Sequence, residues 1–176
     1  MDIERMLHRV GRVIGKGRVF KLMFNIFPGF RRTGAKMIKA SDDFHYAKIK
    51  LPLNYKTRNY VGTIYGGSMY SCADGIYMVQ LINILGKDYV VWDKSASIRF
   101  RRPGNTTLFA EFIISKEFII KIKEEISELK EKDYTLKVEL MDDKGVIYAE
   151  VEKVLYIASK EHYKEKRKVR LALQKD

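Results

Sequence analysis

The sequence sets backbone donors and carboxylates at spacings that could do chemistry. Gly66-Gly67 opens an apolar run reaching to about residue 86, and Asp74 places a carboxylate inside it. A buried core helix needs neither. Unpaired N–H groups at a helix N-terminus can hold a developing oxyanion, and glycine there admits an approaching carbonyl. An aspartate about two turns further along can act as general base on water or as nucleophile. Asp93, in the segment YVVWDKSASIRFRR, is a second carboxylate; close to Asp74 it would raise the proton affinity of one of the two. Plainer roles compete. The glycines could simply make a tight turn into the helix, Asp74 could be a solvated or paired carboxylate, and Asp93 could pair with Lys94 or an arginine. Ser68 most simply satisfies the helix start. Arg99, Arg101 and Arg102 suit bidentate phosphate recognition, and equally suit ion pairs between strands or subunits. Cys72 reads as a small buried residue, with no histidine near it in sequence to activate it. His8, His45 and His162 are too scattered to form a ligand cluster, so no metal is expected.

The elements that must position these residues follow from periodicity. Ile3, Met6, Leu7, Val10, Val13 and Ile14 repeat at helical spacing among basic residues, which predicts a first amphipathic helix. VFKLMFNIF predicts a second apolar segment that stops at Pro28-Gly29, with FRRTGAK as a loop. Residues 36–51 are expected to form the first strand, and residues 66–86 the long central helix closed by Gly86. YVVWDKSASIRFRR is a long strand, with Trp92, Lys94, Ala96, Ile98 and Phe100 on one face and Pro103-Gly104 at its end. TTLFAEFIIS is the next strand. Residues 117–131 read as an inserted helix, and DYTLKVELM with VIYAEVEKVLYIA as a closing hairpin that turns at Gly145. The tail from Lys160 is charged and helical. One helix covers a five-stranded antiparallel sheet only if the sheet curls around it, so the class is α+β with a wrapped, nearly all-apolar central helix.

Bulk properties narrow the function. At 176 residues, 46% hydrophobic and 32% charged, the chain is one globular domain with terminal extensions: 1–35 helical, 36–158 the body, 159–176 a charged tail. The net charge of +12 is not spread evenly. Residues 1–40 hold ten Lys/Arg against two Asp/Glu, residues 160–176 seven against three, and residues 41–159 balance at seventeen each. The body is neutral, which argues against a specific nucleic-acid partner. The basic N-terminal helix could touch a membrane surface, but packing on its own domain or a partner subunit is preferred. No apolar run approaches the roughly 20 residues that span a bilayer. With no signal-like segment and a single cysteine, a cytoplasmic setting is expected.

Order and motif together resemble the hotdog-fold thioesterases, especially the phenylacetyl-CoA-thioesterase-like branch. Asn59, then Tyr65-Gly66-Gly67 six residues on, then Asp74 nine residues after Tyr65, stand at the spacing of that branch's Asn, His-Gly-Gly and acid. SIRFRRPG matches its strand that ends at a proline. GTIYGGSMYSCAD and VWDKSASIRFRRPG are closer still to a group described as tetrameric acyl-CoA-thioesterase-like, which also carries N-terminal helices and the inserted helix. The resemblance covers roughly residues 36–157. It implies an acyl-CoA or acyl-carrier thioester as substrate, with coenzyme A bound only as part of it and no other cofactor, in a homodimer or dimer of dimers. Asp74 would be base or nucleophile, and Gly66 and Gly67 the oxyanion donors. Asn59 would orient the acid or the water across the subunit boundary. Tyr70, Tyr77 and Met78 would lie along the acyl chain, with the CoA phosphates on basic surface near Arg99, Arg101 and Arg102. Two positions depart from the pattern. Tyr65 stands where the branch has His, offering a phenol hydrogen bond or a pocket wall. Asp93 stands where related enzymes place a water-positioning Ser or Thr. These departures also fit a second function, a non-catalytic acyl-thioester or lipid binder. A hydratase ranks lower, since no histidine occurs between His45 and His162.

Overall fold

The computed structural model describes residues 15–173. The predicted helix over residues 3–14, and any membrane contact it makes, lies outside the described residues. The chain then runs α1 (Lys16–Ile26), α2 (Pro28–Arg32), β1 (Lys36–Ala40), β2 (Tyr46–Leu51), α3 (Gly66–Ser71), α4 (Ile76–Leu85), β3 (Tyr89–Phe100), β4 (Leu108–Ile113), α5 (Lys116–Leu129), β5 (Glu131–Met141), β6 (Ile147–Ser159) and α6 (Lys160–Leu173). The strands form one antiparallel sheet in the order β1-β2-β4-β5-β6-β3. Alternate residues build its inner face: Ala47, Ile49 and Leu51 of β2, Leu108, Ala110 and Phe112 of β4, and Ala149, Val151, Leu155 and Ile157 of β6 are all buried.

The α+β class holds, with two corrections to its parts. The sheet has six strands rather than five, because residues 36–51 form a hairpin instead of one strand. Its turn is built by side chains: Ser41 Oγ donates to Asp43, whose carboxylate also accepts the His45 amide, and Phe44 takes the left-handed conformation at φ 63. The central helix is two helices rather than one. Gly75 sits at φ 73 and ψ −9, and the Ala73 and Asp74 amides reach back only three residues, to the Tyr70 and Ser71 carbonyls. That tightening followed by a left-handed residue ends α3 and restarts the chain as α4. Asp74 therefore lies in a turn, not in the third turn of a helix.

Two smaller expectations also change. FRRTGAK is partly helical, because Pro28 serves as the first residue of α2 instead of stopping structure. In β3 the pairing slips between Asp93, opposite Leu155, and Ser95, opposite Val154. Lys94 is thus the extra residue of a β-bulge, which swaps the faces before it. Val91 and Asp93 share the inner face with Ala96 and Ile98, while Trp92 points outward and is 52% exposed. The inserted helix α5, capped by Ser115, and the closing turn at Gly145 stand where expected.

The sheet nearly parts between β4 and β5, which pair through Phe109 and Met141 alone. The helix fills the opening. Tyr77 of α4 packs edge-on against Phe112 of β4 and donates its hydroxyl to the Lys137 carbonyl of β5 at 2.9 Å. Gln80, fully buried one turn later, donates to the Phe44 and Phe112 carbonyls. The bonds to Lys137 and Phe112 reach carbonyls of the two strands that flank the interrupted ladder, and the bond to Phe44 ties α4 to the β1–β2 turn.

Candidate active site

The loop before α3 is held by its own side chains. The Asn59 carboxamide accepts from the Val61 and Thr63 amides at 3.1 and 3.0 Å and donates to Thr63 Oγ1 at 2.9 Å. Asn59 thus closes a turn, and no hydrogen bond joins it to Asp74 within the chain. Tyr65, itself 60% exposed, caps α3 only through its carbonyl, which accepts from Ser68 and Met69. Ser68 is the third residue of the helix and gives no side-chain cap, contrary to its expected role. The amides of Gly66 and Gly67 have no acceptor among the described residues. Six residues make a short helix with little dipole, so what the site offers is two free N–H groups.

Glycine at these two positions answers to aromatic rings. A Cβ on Gly66 would lie 2.9 Å from the Phe100 ring, and one on Gly67 would lie 2.3 Å from the Tyr65 ring. Tyr65 therefore lies against the Gly67 backbone, at the place the resemblance gives to histidine.

The two predicted carboxylates come together around a lysine that the motif did not contain. Lys153 lies on the inner face of β6, opposite Ala96 of β3 and Leu136 of β5, with its side chain only 4% exposed. Its ammonium donates to Asp74 Oδ1 at 2.6 Å and lies 3.2 Å from Asp93 Oδ1. The Asp93 contact is an ion pair without hydrogen-bond alignment, and Oδ1 of Asp93 is buried with no hydrogen-bond partner. Burial alone would lower the proton affinity of Lys153, but the hydrogen bond to Asp74 and the charge of Asp93 outweigh it, and its pKa is raised. The bulge at Lys94 is what turns Asp93 inward toward this ammonium.

The other candidates sort by environment. Tyr70 is partly exposed on α3 and Met78 is half-buried on α4. Tyr77 is 3% exposed and part of the core, so it is a packing residue within this chain rather than an open pocket wall. Burial pushes its hydroxyl up to about 12. Tyr77 thus stabilises the fold fully below the unfolded tyrosine value of about 10 and loses that contribution as pH rises toward 12. Urea unfolding at pH 9 and pH 11.5 should show about 2 kcal/mol lost from this group, a loss that Tyr77→Phe does not share. Arg101 is bidentate to Glu150 at 3.0 and 2.8 Å, and Arg102 lies over the Tyr148 ring. Arg99, exposed on β3, makes no ion pair among the described residues. Cys72 is wholly buried, its thiol pushed up to about 12 by burial, which suits packing and not nucleophilic attack.

A cleft of about 580 Å³ lies elsewhere, bounded by Ile126 and Lys130 near the end of α5, by Tyr89, and by Lys160, His162 and Glu165 of α6. Its mixed charges define no ligand.

Among solved structures the chain is similar to PA5026 of Pseudomonas aeruginosa, a protein of unknown function described as a "probable thioesterase", with 20% identity, 81% of this chain and 95% of that one covered, and a TM-score of 0.69. It is similar to the thioesterase HI1161 of Haemophilus influenzae at 10% identity, with 81% and 90% covered and a TM-score of 0.59. A protein of unknown function from Chlorobaculum tepidum gives 13% identity, 81% and 94% covered, and 0.63. At these identities the likeness establishes the hotdog fold. No curated protein sequence matches the chain. The family model described as Domain of unknown function (DUF4442) matches residues 15–157, and the chain belongs to that family.

Proposed function

We propose that the protein hydrolyses an acyl thioester, of coenzyme A or of an acyl carrier, to the free acid and thiol. The observation that carries the proposal is Asp74: a carboxylate with its side chain 62% exposed at the break between α3 and α4, anchored by a buried ammonium. Asp74 is the general base on water or the nucleophile, and Asp93 sets its geometry through Lys153. The free amides of Gly66 and Gly67 receive the oxyanion. Tyr65 and Tyr70, exposed to different degrees around α3, border the thioester, and Arg99 and Arg102, both exposed and in no ion pair among the described residues, are open to a CoA phosphate. Support for a second copy comes from β3, an edge strand with Trp92 and Phe100 exposed, and from half-buried Met78, Val79 and Ile82 on α4. A homodimer pairing these surfaces, or a dimer of dimers, would cover Asp74 and bring Asn59 of one copy toward the acid of the other.

The test is release of free thiol from a panel of acyl-CoAs by the native protein and by Asp74→Ala. The expected result is turnover in the native protein and a loss of about 10³-fold in the variant, the scale of a lost base or nucleophile. Equal residual rates would remove Asp74 from the chemistry. Tight acyl-CoA binding without turnover in the native protein would favour the binding-module alternative, for which the Tyr65 and Asp93 departures speak.

A further inference from the structure

Lys153 takes no part in the motif that points to hydrolysis, yet its ammonium sits between the two carboxylates. Two negative groups face it, Asp74 from the α3–α4 turn and Asp93 from β3, while its strand neighbours on the inner face are Ala96 and Leu136. One ammonium against two carboxylates leaves one formal negative charge. The two are not equivalent: Asp93 is 24% exposed and its Oδ1 is buried, while Asp74 is 62% exposed. Asp74 is therefore the member of the cluster that solvent or substrate can reach. Lys153 binds Asp74 through Oδ1 and leaves Oδ2 without a partner among the described residues.

We infer that Lys153 is the positioning residue of the site: its buried ammonium fixes Oδ1 of Asp74, using Asp93 as counter-anchor, so that Oδ2 is held as the reactive oxygen. This inference rests on the assignment of Asp74 as base or nucleophile. A carboxylate in a turn between two helices has no rotamer constraint from a regular helix around it. A rigid strand supplies the missing constraint, because the lysine stem is packed among core residues of β6 and its head cannot follow solvent. Lys153 does not touch substrate; it acts through Asp74.

The experiment has two arms. In the kinetic arm, acyl-CoA hydrolysis is measured for the native protein, Lys153→Met, Lys153→Arg, Asp74→Asn and the double variant Lys153→Met with Asp74→Asn. The expected result is a fall in kcat of at least about tenfold for Lys153→Met with KM within about twofold, partial recovery in Lys153→Arg, and no further loss when Lys153→Met is added to Asp74→Asn. An unchanged kcat in Lys153→Met, or an additive loss in the double variant, overturns the inference. Should Lys153→Met fail to fold, Lys153→Arg is read against Asp74→Asn in its place, since a planar guanidinium cannot reproduce the point contact at Oδ1. In the second arm, the side-chain ¹⁵N spectrum of the lysines is recorded on the native protein. A slowly exchanging Lys153 ammonium signal that moves on Asp74→Asn is expected, and a signal indifferent to that change overturns the inference. Absence of any thioester hydrolysis, with the signal still responding, overturns the hydrolase assignment and leaves the Lys153–Asp74 anchor standing.

Discussion

Replacing Lys153 by methionine should lower the stability of the folded chain by about 3 kcal/mol, the lower end of the range for removing one partner of a buried ion pair. The lower end applies because the loss is unequal at the two carboxylates. Asp74 is largely exposed, so water takes over from the ammonium at modest cost. Most of the loss falls on Asp93: its Oδ1 is already buried without a hydrogen bond, and the ammonium at 3.2 Å is the charge that compensates it. Adding Asp93→Asn to Lys153→Met removes the stranded charge and should return about 1–2 kcal/mol, a coupling that a double-mutant cycle in urea would read directly. The pH dependence follows from the direction of the shift. Because folding raises the proton affinity of Lys153, its contribution is complete below the unfolded lysine value of about 10.4 and disappears as pH rises through the higher folded value. The gap between native protein and variant should therefore be level from pH 7 to 9 and close at strongly alkaline pH. A gap that stayed open at strongly alkaline pH would mean that the charge of Lys153 does not set the energetics of the cluster.

This cluster also marks where sequence reasoning stops. The alternation of β6 places Lys153 in phase with Ala149, Val151, Leu155 and Ile157, a charged residue on an apolar face, and that is a signal in itself. It is partly masked because Tyr148, Val154 and Tyr156 stand beside Glu150 and Glu152 in the other phase, which makes the contrast between the two faces weaker than a clean alternation. The bulge at Lys94 has no composition cue, and it reverses which side Asp93 and Trp92 take. The broken helix does carry a cue, the Asp74-Gly75 dipeptide, a turn signal outweighed by the apolar run around it. The double glycine, by contrast, is legible because a free amide needs only backbone and an absent side chain. The fold's order of elements is legible for a similar reason: period-2 and period-3.6 patterns are local, whereas the juxtaposition of Asp74, Asp93 and Lys153 joins a turn to two strands across 79 residues of chain.

The other large effect is expected at the opposite end of the sheet, where Gly17→Ala should destabilise the protein by about 3 kcal/mol. In an ordinary exposed helix the same change stabilises by roughly 1 kcal/mol, because alanine is the better helix former. Here α1 lies directly on the β1–β2 hairpin. A Cβ on Gly17 would come within 2.4 Å of the Ala40 carbonyl oxygen and 2.8 Å of the Ser41 carbonyl carbon. Both are backbone atoms, so no side-chain rotation relieves the clash. The Gly17 amide is also held by Asp42 Oδ1 at 2.7 Å, a carboxylate from the hairpin turn at the positive end of α1. Lifting the helix to admit a methyl group breaks that bond and disturbs Val19, Phe20 and Met23, which α1 buries against the rest of the core. Asp42→Ala, which removes the carboxylate without adding bulk, should cost only about 1 kcal/mol. Thermal or urea unfolding of the two variants thus separates the close approach from the cap. If Gly17→Ala proved neutral or stabilising, α1 would have to sit on the edge strand less tightly than this geometry requires. The helical extension would then be an accessory to the sheet rather than the cover of its outer strand.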